Sequence, residues 1–299
     1  MNAAVSLPTL RPRLDPRLLA ALAVVYAIWG STYLVMRVAV ASLPPWGMAG
    51  TRFVSAGLLA LGVARLRGEV LPSRRDWLLA LPTGALLFVV GNGLVAVAEQ
   101  SIASSVAAVV AATTPLFASA FRAARGERPS RAEIAGMALG LAGVVVLAGG
   151  STLWSAGPRG LVLLFAPVGF ALGSLLVRAR GPQAGGLAVA APQMICGGAI
   201  MLAISAASGE HMPPTLDASA ALAWLYLVVL GSLVGFTAYA WLLRNAPPAL
   251  SMSHAYVNPL VAVLLGSALG GEQLGASALG AAGLIAAGVM IAVAARAKR

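Results

Sequence analysis

The stretch "SMSHAYVNPL" (251–260) carries Ser251, His254 and Asn258 at spacings of three and four, the spacing that puts side chains on one face of a helix. Hydroxyl, imidazole and carboxamide groups in such a row offer hydrogen bonds to a polar solute. Pro259, the next residue, withholds a backbone donor and leaves a carbonyl unpaired one turn earlier. Three further rows have the same character: Tyr26, Trp29, Tyr33 and Arg37; Phe88, Asn92 and Glu99; Ser232, Phe236 and Tyr239. The chemistry is that of binding. Trp29, Tyr33, Phe236 and Tyr239 suit an apolar wall, and His254 and Asn258 suit a carboxylate or an ammonium. The same rows also serve to join helices by interhelical hydrogen bonds, each worth under about 2 kcal/mol, and a structural bond fits His254 equally well.

Bond-making chemistry lacks its residues. Asp15, Asp76 and Asp217 all fall outside the apolar runs, and His211 and His254 are too far apart for a His-Glu-x-x-His helix. Neither an intramembrane aspartyl protease nor a metalloprotease can be assembled. The lone Cys196 excludes an intramolecular disulfide and offers no metal cluster, so packing is its expected role and no cofactor is expected.

Such rows need helices to hold them, and composition sets the solvent of those helices. With 60% apolar residues, 10% charged residues and a mean hydropathy of +0.90, the chain has more apolar surface than a water-soluble core of ordinary composition can hide. A spanning helix takes about 20 apolar residues. Ten such runs can be drawn: 18–40, 46–64, 77–98, 104–121, 134–151, 160–177, 187–207, 222–242, 249–269 and 274–294. Continuous runs of this length, joined by short connections, argue for helices and against an outer-membrane barrel. The expected fold is an all-α membrane protein with ten transmembrane helices.

The net charge of +11 invites a nucleic-acid partner, so the positions of the basic residues decide. Threaded from an inside N-terminus, 20 basic residues fall inside except Arg159, in an outer loop, and Arg37 and Arg52, within drawn helices. The inner set includes Arg65, Arg67, Arg74 and Arg75 in one loop and Arg122, Arg125, Arg128 and Arg131 in another. The positive-inside rule accounts for the charge, puts both termini in the cytoplasm and makes a nucleic-acid partner unnecessary. "AVA" at 39–41 imitates a signal-peptidase site, but the apolar stretch before it is long for a signal peptide and carries Arg37.

The two halves repeat each other. "WGSTYLVMR" (29–37) aligns with "FALGSLLVR" (170–178) at an offset of 141. Gly91 aligns with Gly235, and Thr114-Pro115-Leu116 with Asn258-Pro259-Leu260, at 144; "LAGVVVLA" (141–148) meets "AAGVMIAV" (286–293) at 145. Nearly constant offsets across four blocks imply one duplicated five-helix unit. The organisation read from this is a cytoplasmic tail 1–17, a first repeat 18–151, an extracytoplasmic linker 152–159, a second repeat 160–295 and a cytoplasmic tail 296–299. Five is odd, so the second copy enters the membrane from the opposite face. Inverted repeats make inward-open and outward-open shapes near-equivalent packings of one structure, which points to a carrier.

The ten-helix plan, "AIWGSTYLVMR" in helix 1, "MAGTRF" opening helix 2, the Pro-Leu pairs at 115 and 259 and the Gly-Glu pairs at 126–127 and 271–272 resemble the EamA-type permeases of the drug/metabolite transporter superfamily. The resemblance runs from about residue 18 to 294. It implies a multi-pass carrier of the bacterial inner membrane, exporting amino acids or related metabolites, with neutral and aromatic amino acids favoured. Its expected partners are a small-molecule substrate and the lipid bilayer; oligomeric state stays open. Carriers of other drugs or metabolites, lipid scramblases and structural membrane proteins are the alternatives.

Four expectations follow for the structure. Gly136, Gly140 and Gly143 in helix 5 should pack closely against Gly280, Gly283 and Ala287 in helix 10. Each Gly-Glu pair should open the helix after it. Matched positions should form two gate ion pairs, Arg37 with Glu272 outside and Arg178 with Glu127 inside, although interfacial snorkelling of both arginines is the plainer reading. All nine acids lie in loops or near helix ends; Glu99, closest to the membrane interior, is expected to be solvated from outside. Proton antiport and passive facilitation both remain open at this point.

Overall fold

The computed structural model describes residues 16–149, 155–179, 187–246, 253–273 and 275–297, and all regular structure among them is helical. Ten helices follow in order: α1 Pro16–Val40, α2 Pro45–Leu66, α3 Arg74–Glu99, α4 Ser104–Ala124, α5 Arg131–Gly149, α6 Gly157–Arg178, α7 Leu187–Ala207, α8 (through Ala218–Tyr226, Leu227–Val234 and Gly235–Asn245), α9 His254–Ala268 and α10 Ala276–Ala297. Seven stretches, within α1 to α4 and α6 to α8, are long and apolar enough to cross a membrane. The drawn runs agree with these helices to within a few residues, apart from the start of helix 9, where 249–252 lie outside the described residues.

Four turns carry a shared signature. Gly68, Gly126, Gly209 and Gly271 have φ of +69°, +90°, +71° and +62°, and each is followed by a glutamate. Only glycine enters that region without strain, and it is the usual way to end a helix. The Gly-Glu pairs therefore close the helices before them, which corrects the expectation that they open the next. Gly68 and Gly209 are themselves a repeat pair, 141 apart. In the second half these turns aim carboxylates at helix N-termini. Glu210 accepts from the Trp46 and Gly47 amides at 3.3 and 2.8 Å at the start of α2, and Glu272 from the Ser104 and Ser105 amides at 2.8 and 3.1 Å at the start of α4. Each negative group meets the positive end of a helix dipole.

Close packing reveals how the halves are related. A Cβ added at Gly198 would lie 2.9 Å from the Gly50 carbonyl oxygen, and one at Gly57 would lie 2.9 Å from that of Ala191. The offset of 141 converts one pair into the other. Between α5 and α10, a Cβ at Gly136 would lie 2.6 Å from Gly288 O and one at Gly143 2.9 Å from Ala281 O, and the offset of 145 exchanges these pairs. Exchange of this kind is the mark of a two-fold relation. Because residue numbers rise along one helix as they fall along its partner, equivalent helices run antiparallel. The α5–α10 contact thus uses Gly288, Ala281 and Ala292; Gly280 and Gly283 meet nothing within 4 Å, so they are not the glycines that let α10 approach.

Candidate functional site

Between the halves lies a cavity of about 190 Å³. Its wall contains residues matched by the repeat: Trp29 with Phe170, Tyr33 with Ser174, Asn92 with Phe236, Val95 with Tyr239, and Thr114-Pro115 with Asn258-Pro259. The cavity therefore sits on the pseudo-two-fold. Its helices depart from regular geometry beside it. Residues Ala85–Gly93 of α3 and Leu227–Val234 of α8 form π turns, and α4 breaks between Ser104–Ala111 and Thr114–Ala124. π turns shift the backbone ladder by one residue and free a carbonyl. The Gly235 amide bonds Leu230 O, and Gly231 O instead accepts from Trp29 Nε1 at 3.1 Å. On the other side Asn92 Nδ2 donates to Leu87 O at 2.9 Å.

Glycine makes room for the aromatic wall. A Cβ at Gly235 would lie 2.4 Å from Trp29 Nε1, and one at Gly91 would lie 3.0 Å from Phe170 Cδ2. The same offsets connect both contacts. Trp29 then gathers Phe236, Tyr239 and His254 with ring centroids 5.2, 4.9 and 5.2 Å away, and Tyr239 and His254 stand edge-on at 5.1 Å. Such offset and edge contacts give a stiff apolar surface.

Arg52 supplies the charge. It is 3% exposed and lines the cavity from α2. Its Nε donates to Ser232 Oγ at 3.1 Å, its Nη1 reaches Met36 Sδ at 3.9 Å, and its guanidinium carbon lies 4.6 Å from the centre of the Phe53 ring. A guanidinium has five N–H donors, so this leaves most of them for the cavity. Asn258 also lines it, and its buried Oδ1 has no hydrogen-bond partner among the described residues. Cation and acceptor in one aromatic chamber can hold a carboxylate and an ammonium together.

The two ends of the cavity differ. Beyond Met36, Arg37 Nη1 meets Glu272 Oε1 at 2.5 Å, and the Ser104 and Ser105 hydroxyls also donate to Glu272. The Glu272 side chain is 2% exposed. Burial alone would push its carboxyl up, but the Ser105 and Ser104 hydroxyls and amides hold it below the ordinary carboxylate range. At the opposite end Arg178 is exposed and still lines the cavity, and Glu127 faces Arg122 Nε at 3.6 Å. Exposed Arg178 marks one end of the cavity, and the buried Glu272 network marks the other.

Seven of the ten binding residues expected from the sequence line this cavity: Trp29, Tyr33, Asn92, Phe236, Tyr239, His254 and Asn258. Phe88 stands behind the wall, between Phe53 and Phe236. Ser232 is also behind it, accepting from Arg52 and donating to Leu227 O. Ser251 lies outside the described residues. Of the gate pairs, Arg37 and Glu272 are in contact, and Glu127 lies 3.6 Å from Arg122 Nε. Sequence reasoning named Arg52 only as a charge within a drawn helix and Glu99 only as a member of a polar row, and gave neither a role in the site. The signal for Arg52 was available, a charge in the middle of an apolar run. Glu99 was read as solvated, yet it is 2% exposed, and neither carboxylate oxygen has a hydrogen-bond partner among the described residues.

This geometry has relatives. The inner membrane transporter YedA of Escherichia coli (strain K12) is 44% identical over 255 residues, covering 85% of this chain and 83% of that protein. A transporter of Archaeoglobus fulgidus is 27% identical over 257 residues, covering 81% and 86%. A solved crystal structure with 21% identity superimposes with a TM-score of 0.63 over 92% of this chain and 96% of its own, which shows a common fold. Residues 17–149 and 159–294 each match the EamA-like transporter family, one match to each half of the pseudo-two-fold. Two copies of one family unit closing around one cavity settle its class: the chain belongs to the EamA-like transporter family and is a membrane transporter, not an enzyme.

Proposed function

We propose that the protein is an inner-membrane carrier that exports amino acids, neutral and aromatic ones above all, by alternating access. The observation that carries this reading is the buried Arg52 guanidinium facing an aromatic chamber beside the unpartnered Asn258 Oδ1. Arg52 takes the carboxylate, for which its planar fork is suited. Asn258 accepts from the ammonium, and Trp29, Phe236 and Tyr239 take the side chain. The cavity's about 190 Å³ is room for roughly six waters and falls below the roughly 300–1,000 Å³ of drug-sized sites, which favours a small metabolite.

In this reading all ten helices cross the membrane, α5, α9 and α10 included. Both termini and the Arg178 end face the cytoplasm, as the basic loops favour. The structure then corresponds to an inward-open carrier. The repeats 18–151 and 160–295 exchange conformations, with Arg37–Glu272 latching the outside and Arg178–Glu127 forming the matching latch when the inside shuts. Counterflow of labelled phenylalanine and leucine into proteoliposomes tests the reading. Uptake should depend on internal unlabelled amino acid and fall by at least about tenfold in Arg52→Gln, the loss of one charge-assisted anchor of roughly 1.5–3 kcal/mol. Counterflow unchanged in Arg52→Gln would remove the anchor.

A further inference from the structure

We propose that Glu99 is the proton-binding site of this carrier, and that its protonation is what permits the Glu272 end to close. The inference rests on the carrier reading and orientation above. Glu99 ends α3 one turn beyond Val95, which lines the cavity. It is 2% exposed, and neither of its oxygens has a hydrogen-bond partner among the described residues. The groups facing it are Arg37, Arg52, Glu272 and Tyr33. Ser104, Ser105 and Arg37 donate to Glu272, and Arg52 Nε donates to Ser232.

An ionised carboxylate left without donors in such a place is among the costliest groups to bury, and a neutral acid is far cheaper. Ionised Glu99 would also put a second negative charge beside Glu272 and compete with it for Arg37. The closed Glu272 end therefore fits the acid form. The fold does not require an acid here, because the offset of 144 that matches Gly91 to Gly235 puts Leu243 at the equivalent position. The asymmetry marks a function confined to one half.

The cycle balances with proton transfer alone. When the outer end opens, water reaches Glu99, and its carboxylate takes a proton from hydronium on that side. The outer end then closes over the neutral acid. In the inward-open state the proton leaves to cavity water past Val95 and Tyr33, and substrate binding at Arg52 precedes the return. One proton enters for each substrate exported.

The test needs no substrate. In a Cys196→Ser background, Ala111→Cys places a thiol on the cavity wall, and right-side-out vesicles are treated with an impermeant maleimide. Rates are normalised to Ser219→Cys at the exposed start of α8, which cancels the pH dependence of the thiol itself. We expect normalised labelling to rise at least about threefold from pH 5.5 to 8 as ionised Glu99 holds the outer end open. Glu99→Gln should label slowly throughout pH 5.5 to 8, and Glu99→Asp should keep the pH dependence. Flat labelling in the wild type, or an unchanged pH dependence in Glu99→Gln, overturns the inference. In proteoliposomes, Glu99→Gln should keep counterflow at equal pH and lose accumulation driven by a pH gradient; gradient-driven accumulation equal to wild type overturns it as well. Absent counterflow in the wild type would sink the amino-acid reading, while the labelling result would still judge Glu99 separately.

Discussion

Replacing Glu272 should unlatch the outer end far more than replacing its ionic partner Arg37. Arg37 is 40% exposed at its side chain, so water screens its attraction to Glu272, and Arg37→Gln should cost the closed state about 1 kcal/mol. Glu272 keeps its serine and amide donors in that variant. Glu272→Gln removes the ionised acceptor from two hydroxyls, two α4 amides and Arg37 together. Hydrogen bonds to a charged group contribute about 1.5–3 kcal/mol each, and a carboxamide keeps part of that through its carbonyl. A net loss of about 3 kcal/mol is expected. In opening equilibria these losses are about fivefold and about 150-fold. The assay is labelling of Ala111→Cys from outside, read as the ratio of variant to parent rate at one pH. Because the Arg37 bond is already gone in Glu272→Gln, the double variant should match Glu272→Gln alone. Arg37→Gln as strong as Glu272→Gln, or additive effects in the double variant, would refute the reasoning.

Gly235→Ala should displace Trp29 and cut counterflow of aromatic substrates severalfold at normal expression, since the new Cβ would lie 2.4 Å from the indole nitrogen; unchanged counterflow would show that Trp29 does not shape the site. Gly136→Ala should destabilise the α5–α10 contact by about 1–3 kcal/mol, because its Cβ would meet Gly288 backbone, whereas Gly283→Ala should be neutral; thermal unfolding in detergent distinguishes them. The Glu272 latch should persist through mildly acid pH: a carboxyl held below its ordinary range contributes stability that is present at neutral pH and lost only as pH falls through that depressed value. In Glu99→Gln, labelling of Ala111→Cys should therefore stay low down to about pH 5 and rise only below it, and a rise near neutrality would contradict this. A cysteine at Ser219 should react with an impermeant reagent from outside and one at Ser73 should not, and the reverse pattern would overturn the orientation.

The helices and the duplication were legible because both are written in local pattern: apolar runs of spanning length and matched blocks at nearly constant offset. The aromatic wall was legible too, since Trp29, Phe236 and Tyr239 lie on helical rows. Phe170 could have been added by the offset of 141 from Trp29, and the Gly68-Glu69 and Gly209-Glu210 turns by the same arithmetic. Other features depend on which helix lies beside which. A glutamate at the end of an apolar run looks solvated unless one knows that the fold buries it. Glycine rows in helix 10 do not say which row meets helix 5; Gly288 does, and Gly280 and Gly283 do not. The π turns are silent in sequence because the extra residue alters hydrogen bonding without altering residue type.

The most direct test of the account is counterflow of labelled phenylalanine into proteoliposomes containing the wild-type protein or Arg52→Gln, with no gradient imposed. The account predicts uptake that needs unlabelled amino acid inside, is competed by leucine but not by the amine lacking the carboxylate, and falls at least about tenfold in Arg52→Gln. Uptake competed equally by the amine, or equal in wild type and Arg52→Gln, would contradict it.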